Sequence, residues 1–422
     1  MPDEVVGRER ELDAVADFLR GLGSGPAALV IEGEAGIGKT TLWLEAVRMA
    51  AAHGYRVLQA RPAQSEVTLS YAALADLLAG AFDETRDTLP GPQARALATA
   101  LLRANADAAA DARATAAGLV GILTVLAAEG PLIVGIDDVQ WLDAASERAL
   151  AFAVRRLPRQ LALLLTRRAE EGPEGPLGLG RALPEVRVDR LVPGPLSLAA
   201  LHHAIRSELG SSLPHPLLAR LADASGGNPF FALEIARALG SGADDQALGD
   251  PLPMPPSLQE LVRTRARALS AAAQEAVLVA AALSRPDVAT VAKALAPDFT
   301  VEPALIEAEE AGVLASERGR IRFAHPLHAS VVYGSTSDER RRQLHSYLAE
   351  VVSDPEQRAR HLAQSSTQPD EATAAELERG ARLAARRGAQ DAAASCSRPL
   401  IGSRRRIGWT SLHAGCSRTP RR

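Results

Sequence analysis

The sequence predicts an α/β fold: a parallel sheet wrapped by helices, followed by smaller and mostly helical units. Three observations predict it. Strands are expected near 27–32, 55–60, 131–137, 161–167 and 186–190. The crossovers between them contain helices, which is what parallel pairing requires. A glycine-rich stretch, Gly33-Glu34-Ala35-Gly36-Ile37-Gly38-Lys39-Thr40, sits between the first strand and a helix. Length adds that more than one domain is present, since 422 residues exceed an ordinary single domain.

Residues 1–24 read as a leading helix and a linker. The run "PAALVIEG" (26–33) is short and continuously apolar, as a strand buried on both faces should be. "TTLWLEAVRMAAAH" (40–53) has helical spacing. About 70 residues separate the second and third strands, with helical periods in "YAALADLLAGAF" (71–82) and "ATAAGLVGILTVLAAE" (114–129). "EEGPEGPLGLG" (170–180) reads as a flexible loop from its Gly and Pro content. Residues 196–245 read as a small helical unit, and "SGADDQALGDPLPMPPS" (241–257) as a linker. Residues 257–335 alternate helices with the hairpin-like "GVLASERGRIRFAH" (312–325), which suits a winged helix. The segment 336–395 is helical.

The glycine-rich stretch fits G-x-x-x-x-G-K-[ST] at every fixed position, in a strand–loop–helix setting. Glycines let backbone N–H groups turn onto phosphate oxygens, and the helix N-terminus adds partial positive charge. Lys39 reaches the β- and γ-phosphates; Thr40, followed by Thr41, offers a hydroxyl to Mg²⁺. The remaining positions, Gly33, Glu34, Ala35, Gly36, Ile37 and Gly38, form the cradle. Lys39 is conspicuous, because only it and Lys293 are lysines among 47 basic residues. "PLIVGIDDVQWLD" (131–143) is a strand-like run ending in Asp137-Asp138. The first carboxylate is well placed for Mg²⁺ and the second for orienting or deprotonating water. "LALLLTRR" (161–168) ends in Thr166-Arg167-Arg168, where a cation could sense a terminal phosphate. A pair of solvated loop arginines is the plainer alternative, and Arg168 fits it better than Arg167.

Net charge is −4 and gives no sign of a nucleic-acid partner. The balance is uneven: residues 392–422 carry seven Arg and no acid, which leaves 40 basic against 51 acidic side chains elsewhere. Cys396 and Cys416 are the only cysteines, so a disulfide framework is not expected. The opening "MPDEVVGRERELD" has no apolar stretch of a signal peptide, and no run approaches 18 apolar residues. The expected location is cytoplasmic, with no membrane partner. His202-His203 have no metal-ligand constellation around them and read as part of a helix.

Taken in order, "VVGRERELDAVADFL", "GEAGIGKTTL", "LIVGIDDVQWLD", "LLLTRR" and "GGNPFFALEIARAL" resemble the STAND class of P-loop ATPases. Within it they are most similar to the ATPase part of the large ATP-binding LuxR-type (LAL) transcription regulators. The resemblance covers roughly residues 3–395. It implies a P-loop NTPase core of AAA/STAND type over 1–193, a helical lid over 194–250 and a winged-helix-like domain over 251–335. The start of TPR-like repeats would follow over 336–396, and a basic tail over 397–422. It implies strand order 5-1-4-3-2.

Residue by residue, the resemblance puts Gly7-Arg8-Glu9 near base and ribose, Asp137 on Mg²⁺ and Asp138 facing the attacking water. Arg167 would be the sensor arginine. Pro229 would pack on adenine, although an Asn-Pro pair also starts helices well. His325, in "RIRFAHPLHASVVYG" (320–334), would reach the β-phosphate of ADP, where its protonated form would be favoured. A histidine packed on the core at a helix start is the alternative.

The implied function is an ATP-binding signal-transduction switch with slow hydrolysis, using ATP/ADP and Mg²⁺. Self-association in the ATP state and an inducer or protein partner would go with it. The full regulators continue into a repeat sensor and a helix-turn-helix. Here the helical period stops at Ser397, and "SRPLIGSRRRIGWTSLHAGCSRTPRR" reads as a disordered or out-of-frame tail of a truncated regulator. No direct DNA binding is therefore expected. An AAA-type motor and a nucleotide-holding adaptor without catalysis are the competing functions.

Overall fold

The computed structural model describes residues 5–23, 25–103, 111–169, 176–179, 187–210, 212–239, 258–295, 300–366 and 371–387. The inferred linker at 241–257, the tail at 397–422 with both cysteines, and most of the loop at 170–180 lie outside the described residues.

Helix α1 (Glu9–Arg20) precedes β1 (Ala27–Gly33), and the phosphate-loop sequence joins β1 to α2 (Lys39–Ala52). Then come β2 (Arg56–Ala60), α3 (Ala72–Leu77), α4 (Ala81–Thr85), α5 (Gly91–Ala100) and α6 (Ala112–Glu129). The core closes with β3 (Leu132–Ile136), α7 (Ala144–Val154), β4 (Leu161–Arg168) and β5 (Arg187–Leu191). The five strands pair in parallel in the order β2-β3-β4-β1-β5, the order that the resemblance implies. The strand of Thr166 thus separates those of Asp137 and Lys39.

Every residue of β1 is buried, because helices cover both faces of the sheet. One face packs on α1 and α2 through Val15, Phe18, Leu42 and Trp43. The other packs on α3, α5, α6 and α7 through Leu74, Leu97, Leu119, Leu123 and Leu150. Trp43 locks α2 across the strands. Its indole Nε1 donates to the Leu164 carbonyl at 3.0 Å, and a Cβ at Gly135 would stand 3.0 Å from its ring. Asp143 caps α7 through Ser146 N at 2.9 Å and also accepts from Tyr71 N at 3.0 Å, tying α7 to the start of α3. By length and composition, α6 is the one described helix able to cross a bilayer, although Arg113, Thr115, Thr124 and Glu129 interrupt its apolar residues. Its buried residues, Leu119, Ile122, Leu123 and Leu126 among them, belong to the sheet's core.

Three helices follow: α8 (Leu198–Leu209), α9 (His215–Ser225) and α10 (Pro229–Leu239). They form the lid around Leu201, Leu218, Leu221 and Ile235. Next come α11 (Leu258–Ala268), α12 (Ala271–Ala282), α13 (Val288–Ala294) and α14 (Val301–Glu310). A hairpin of β6 (Leu314–Glu317) and β7 (Arg320–Phe323), here the wing, leads to α15 (Pro326–Ser335). Their shared core includes Val277, Val279, Val291 and Ile321. The last described helices are α16 (Asp338–Val351), α17 (Pro355–Ser365) and α18 (Glu371–Arg386).

These later elements fold back onto the sheet unit. Arg285 donates to Glu66 and to the Ala72 carbonyl, both at 2.7 Å, and Arg360 to the Ser65 carbonyl at 2.7 Å. Arg387, buried after α18, reaches Glu356 at 2.6 Å, the Ser70 carbonyl at 2.5 Å and the Ala100 carbonyl at 3.0 Å. The segment just after β2 is thus held by residues from three later elements.

Candidate functional site

The loop after β1 has its backbone set by glycine. Gly36 and Gly38 adopt φ of +80° and +99°, which other residues rarely do. At Gly36 a side chain is excluded twice over, because a Cβ would lie 2.7 Å from Phe230 Cβ. Ala35, Gly36, Gly38, Lys39, Thr40 and Thr41 line a cavity of about 1070 Å³. Gly33, Glu34 and Ile37 are outside its lining; Ile37 is buried beneath the loop. Lys39 is buried, and its Nζ donates to the carbonyls of Gly33 at 3.1 Å and Glu34 at 2.8 Å. Burial lowers its pKa, and the charges of Asp138 and Asp137 oppose that. A phosphate beside Lys39 would supply the counter-charge that burial withholds.

The strand ends supply the second half. Asp137 Oδ1 accepts from the Thr166 hydroxyl at 2.7 Å and the Thr40 hydroxyl at 3.3 Å. Burial raises the Asp137 pKa, and the neighbouring Asp138 raises it further. The Arg61 Nε lies 3.6 Å from its Oδ2, and Lys39 is close enough for the charge of Asp137 to act on it. A buried carboxylate under this strain, joined to a hydroxyl by a long hydrogen bond, suits a hard divalent cation. Among the described residues no three His, Cys, Asp or Glu side chains gather as a metal cage. Mg²⁺ held by Thr40 and Asp137 would complete its shell with phosphates and water. Asp138 takes the left-handed φ of 55°, its N–H donates to Thr166 Oγ1 at 2.6 Å, and Gln140 donates to its carboxylate at 2.7 Å. This aims a second carboxylate into the cavity beside the first.

Arg167 is a correction. Side chains alternate along β4, so Thr166 and Arg168 share one side and Arg167 the other. Arg167 is buried against Glu32, its register partner on β1, with Nε 3.0 Å from Oε1. It lines no part of the cavity, whereas Arg168 does, its guanidinium 5.2 Å from the Trp141 ring centre. Arg8 also departs from expectation. It is buried outside the cavity lining, donating to the Ile37 carbonyl at 2.6 Å, the Gly194 carbonyl at 2.5 Å and Glu11 at 2.9 Å. It braces the underside of the loop.

Pro229 does line the cavity, at the start of α10. Its neighbours do more. Asn228 donates to the Ala35 carbonyl at 3.0 Å, and the Phe230 N–H to the Gly36 carbonyl at 3.3 Å. His325 stacks on Phe230, ring centres 4.0 Å apart, at the junction of wing and α15. Burial, with the charges of His328, Lys39 and Arg168, pushes its pKa down to about 3. As it stands the imidazole is neutral, the reverse of the protonated form expected beside a phosphate. Asn228, Phe230 and Arg61 were not singled out from sequence, and Arg168, which the sequence fits better as a solvated loop arginine, lines the cavity instead. Phe230 lies within "GGNPFF", so its motif was visible although its contact was not.

Residues 4–166 match the AAA ATPase domain family. An uncharacterized protein of Rhizobium meliloti (strain 1021) is 25% identical over 397 residues, covering 83% of this chain and 37% of the relative. A STAND protein with a tetratricopeptide repeat sensor, from Pyrococcus horikoshii, superposes with a TM-score of 0.55 at 12% identity, over 96% of this chain and 59% of the other. The Walker-type ATPase of Pyrococcus abyssi gives a TM-score of 0.37 at 15% identity, over 77% of this chain and 95% of the other. The chain spans 37% of the Rhizobium relative and 59% of the STAND protein, less than two thirds of each. Residues 4–166 are thus similar to the AAA ATPase domain, and the chain shares its fold with the STAND protein.

Proposed function

We propose that this chain is an ATP/ADP-responsive switch with slow hydrolysis, in which nucleotide occupancy governs how lid and wing sit on the phosphate loop. One observation carries the reading. Asn228 and Phe230 of the lid bond to loop carbonyls, and His325 beside the wing stacks on Phe230. A phosphate entering the loop meets residues from three units in one cavity. Charge there must bias their arrangement, because a ligand shifts an equilibrium by its differential affinity for the two states.

In this reading Gly36, Gly38 and Lys39 hold the phosphates, Thr40 and Asp137 hold Mg²⁺, and Asp138 orients water. Arg168 takes the sensing position first assigned to Arg167, and Pro229 stands at the base side. A part in transcription regulation, as in LuxR-type regulators, rests on the ordered motifs alone. So do self-association in the ATP state, an inducer or protein partner, and a cytoplasmic location.

The test is chromatography of nucleotide released from freshly purified protein, with turnover rate and limited proteolysis in ATP and in ADP. Bound ADP, turnover slower than roughly one per minute (typical enzymes run near ten per second) and nucleotide-dependent cleavage are expected. Identical cleavage patterns in ATP and ADP would refute the switch. Fast turnover by a ring-shaped oligomer would favour the motor.

A further inference from the structure

The cavity continues past Asp137 to the wing, where arginines line it together with Glu66, Asp76 and Asp287. Arg61 comes from the end of β2; Arg320 and Arg322 come from β7. Alternation along the strand puts these two on one face, while Ile321 between them enters the core. Nearby Arg285 is already committed, bonding Glu66 at 2.7 Å and standing 3.3 Å from Asp76. Among the described residues the three others make no hydrogen-bonded ion pair, and the Arg320 side chain is 56% exposed. Arg61 Nε is buried without a hydrogen-bond partner and has only Asp137 at 3.6 Å. Arg320 stands 3.7 Å from Asp76, a carboxylate it shares with Arg285. Arg322 pairs with Ala315 through its backbone, and its half-buried side chain makes no hydrogen bond or ion pair with the described residues.

Burial lowers the Arg322 pKa and Arg61 and Arg320 lower it further, while Asp76 and Glu66 oppose this. Of the carboxylates on this wall, Glu66 and Asp76 engage Arg285 and Asp287 bonds Thr290, so Arg61 and Arg322 keep N–H donors for an anion. Their planar forks match a phosphoryl group in two-point contacts.

We propose that Arg61, Arg320 and Arg322 form a phosphoryl-anion subsite on the wing side of the cavity, separate from the phosphate loop. The idea deepens the nucleotide reading and rests on it for one of two sources. The anion is either the terminal phosphate of a bound triphosphate or free inorganic phosphate, as hydrolysis would leave behind. In both cases the wing feels the phosphate directly, so the subsite gives the switch a means of telling ATP, or ADP with phosphate, from ADP alone.

The experiment compares the full chain with Arg322→Gln and Arg322→Lys. Inorganic phosphate is titrated by calorimetry at constant ionic strength, into nucleotide-stripped and into ADP-loaded protein. The ATP-to-ADP affinity ratio is measured in parallel. If free phosphate is the ligand, ADP-loaded wild type binds it, Arg322→Gln weakens this at least tenfold, and Arg322→Lys restores part. If the terminal phosphate is the ligand, Arg322→Gln lowers the ATP-to-ADP ratio about tenfold and leaves ADP affinity within twofold. Should the chain bind no nucleotide, Arg322-dependent phosphate binding by the stripped protein would still uphold the subsite while the nucleotide reading fell. Phosphate binding and affinity ratio both within twofold of wild type in Arg322→Gln would overturn it.

Discussion

Arg167→Met separates a sensor from a strut. Arg167 and Glu32 are side-chain neighbours across β1 and β4, 5% and 12% exposed, 3.0 Å apart. Removing one partner of a buried ion pair costs roughly 3–5 kcal/mol, because the other charge is left without compensation. Arg190 tempers that here, since its Nε is 3.9 Å from the same Glu32 oxygen and its side chain is half-exposed. The loss should therefore lie below that range, at about 2–3 kcal/mol. For a domain of this size each kcal/mol moves Tm by about 2–4 °C, so the sheet unit should melt roughly 5–10 °C lower. Calorimetry reads this, with ATP affinity and turnover measured on the same sample below the transition. Both should stay within about threefold of wild type, because Arg167 does not face the cavity. Adding Glu32→Leu should recover most of the lost stability by removing the stranded charge. If Arg167→Met leaves Tm unchanged while turnover collapses, the strut argument is wrong and the sensor role returns to Arg167.

The other predictions follow from the same geometry. Lys39→Ala should abolish measurable nucleotide binding in an equilibrium titration, since it removes the lysine charge in the phosphate loop. Asp138→Asn should keep ATP affinity and lose turnover; normal hydrolysis by this variant would remove Asp138 as the water-orienting group. His325→Ala should weaken ADP more than ATP in competition binding, and equal losses would leave His325 as a packing residue on Phe230. Acid should unfold the chain through its buried histidines. His345 lies between the Tyr333 hydroxyl at 2.6 Å and His361 at 2.7 Å, and burial lowers their pKa values to about 4 and about 3. Both are neutral when folded and would protonate near pH 6.5 when unfolded, so the unfolded chain binds more protons and stability falls as pH drops below 6.5. For His345 alone the loss by pH 4.5 is on the order of 2–3 kcal/mol. Melts from pH 7.5 to 4.5 should show that slope, and His345→Gln should flatten it.

What the sequence determined by itself is local or periodic. Gly33–Thr40 was legible because its contacts with a phosphate are made by consecutive backbone groups and one adjacent lysine. The central strands β1, β3 and β4 were legible because a sheet covered on both faces needs short, continuously apolar runs, and all five strands lie within a residue or two of their expected places, although the edge strands β2 and β5 are polar and partly exposed. The order of those strands came from the resemblance, since apolarity does not say which run neighbours which. Asp137 was legible as the first polar residue after such a run.

Tertiary structure decided everything that depends on direction or on distant neighbours. Whether Arg167 or Arg168 enters the cavity turns on which face of β4 meets Glu32 of β1, a question of register that no property of "TRR" answers. Arg8 looks like a binding residue in its motif but is used up by carbonyls at Ile37 and Gly194, the second far along the chain. Phe230 reaches Gly36 only because the lid folds back over the loop. Arg61, Arg320 and Arg322 are unremarkable in a chain with 47 basic residues, nearly all arginine. They become a group only when the wing closes over the strand ends, because charges separated by hundreds of residues interact through space.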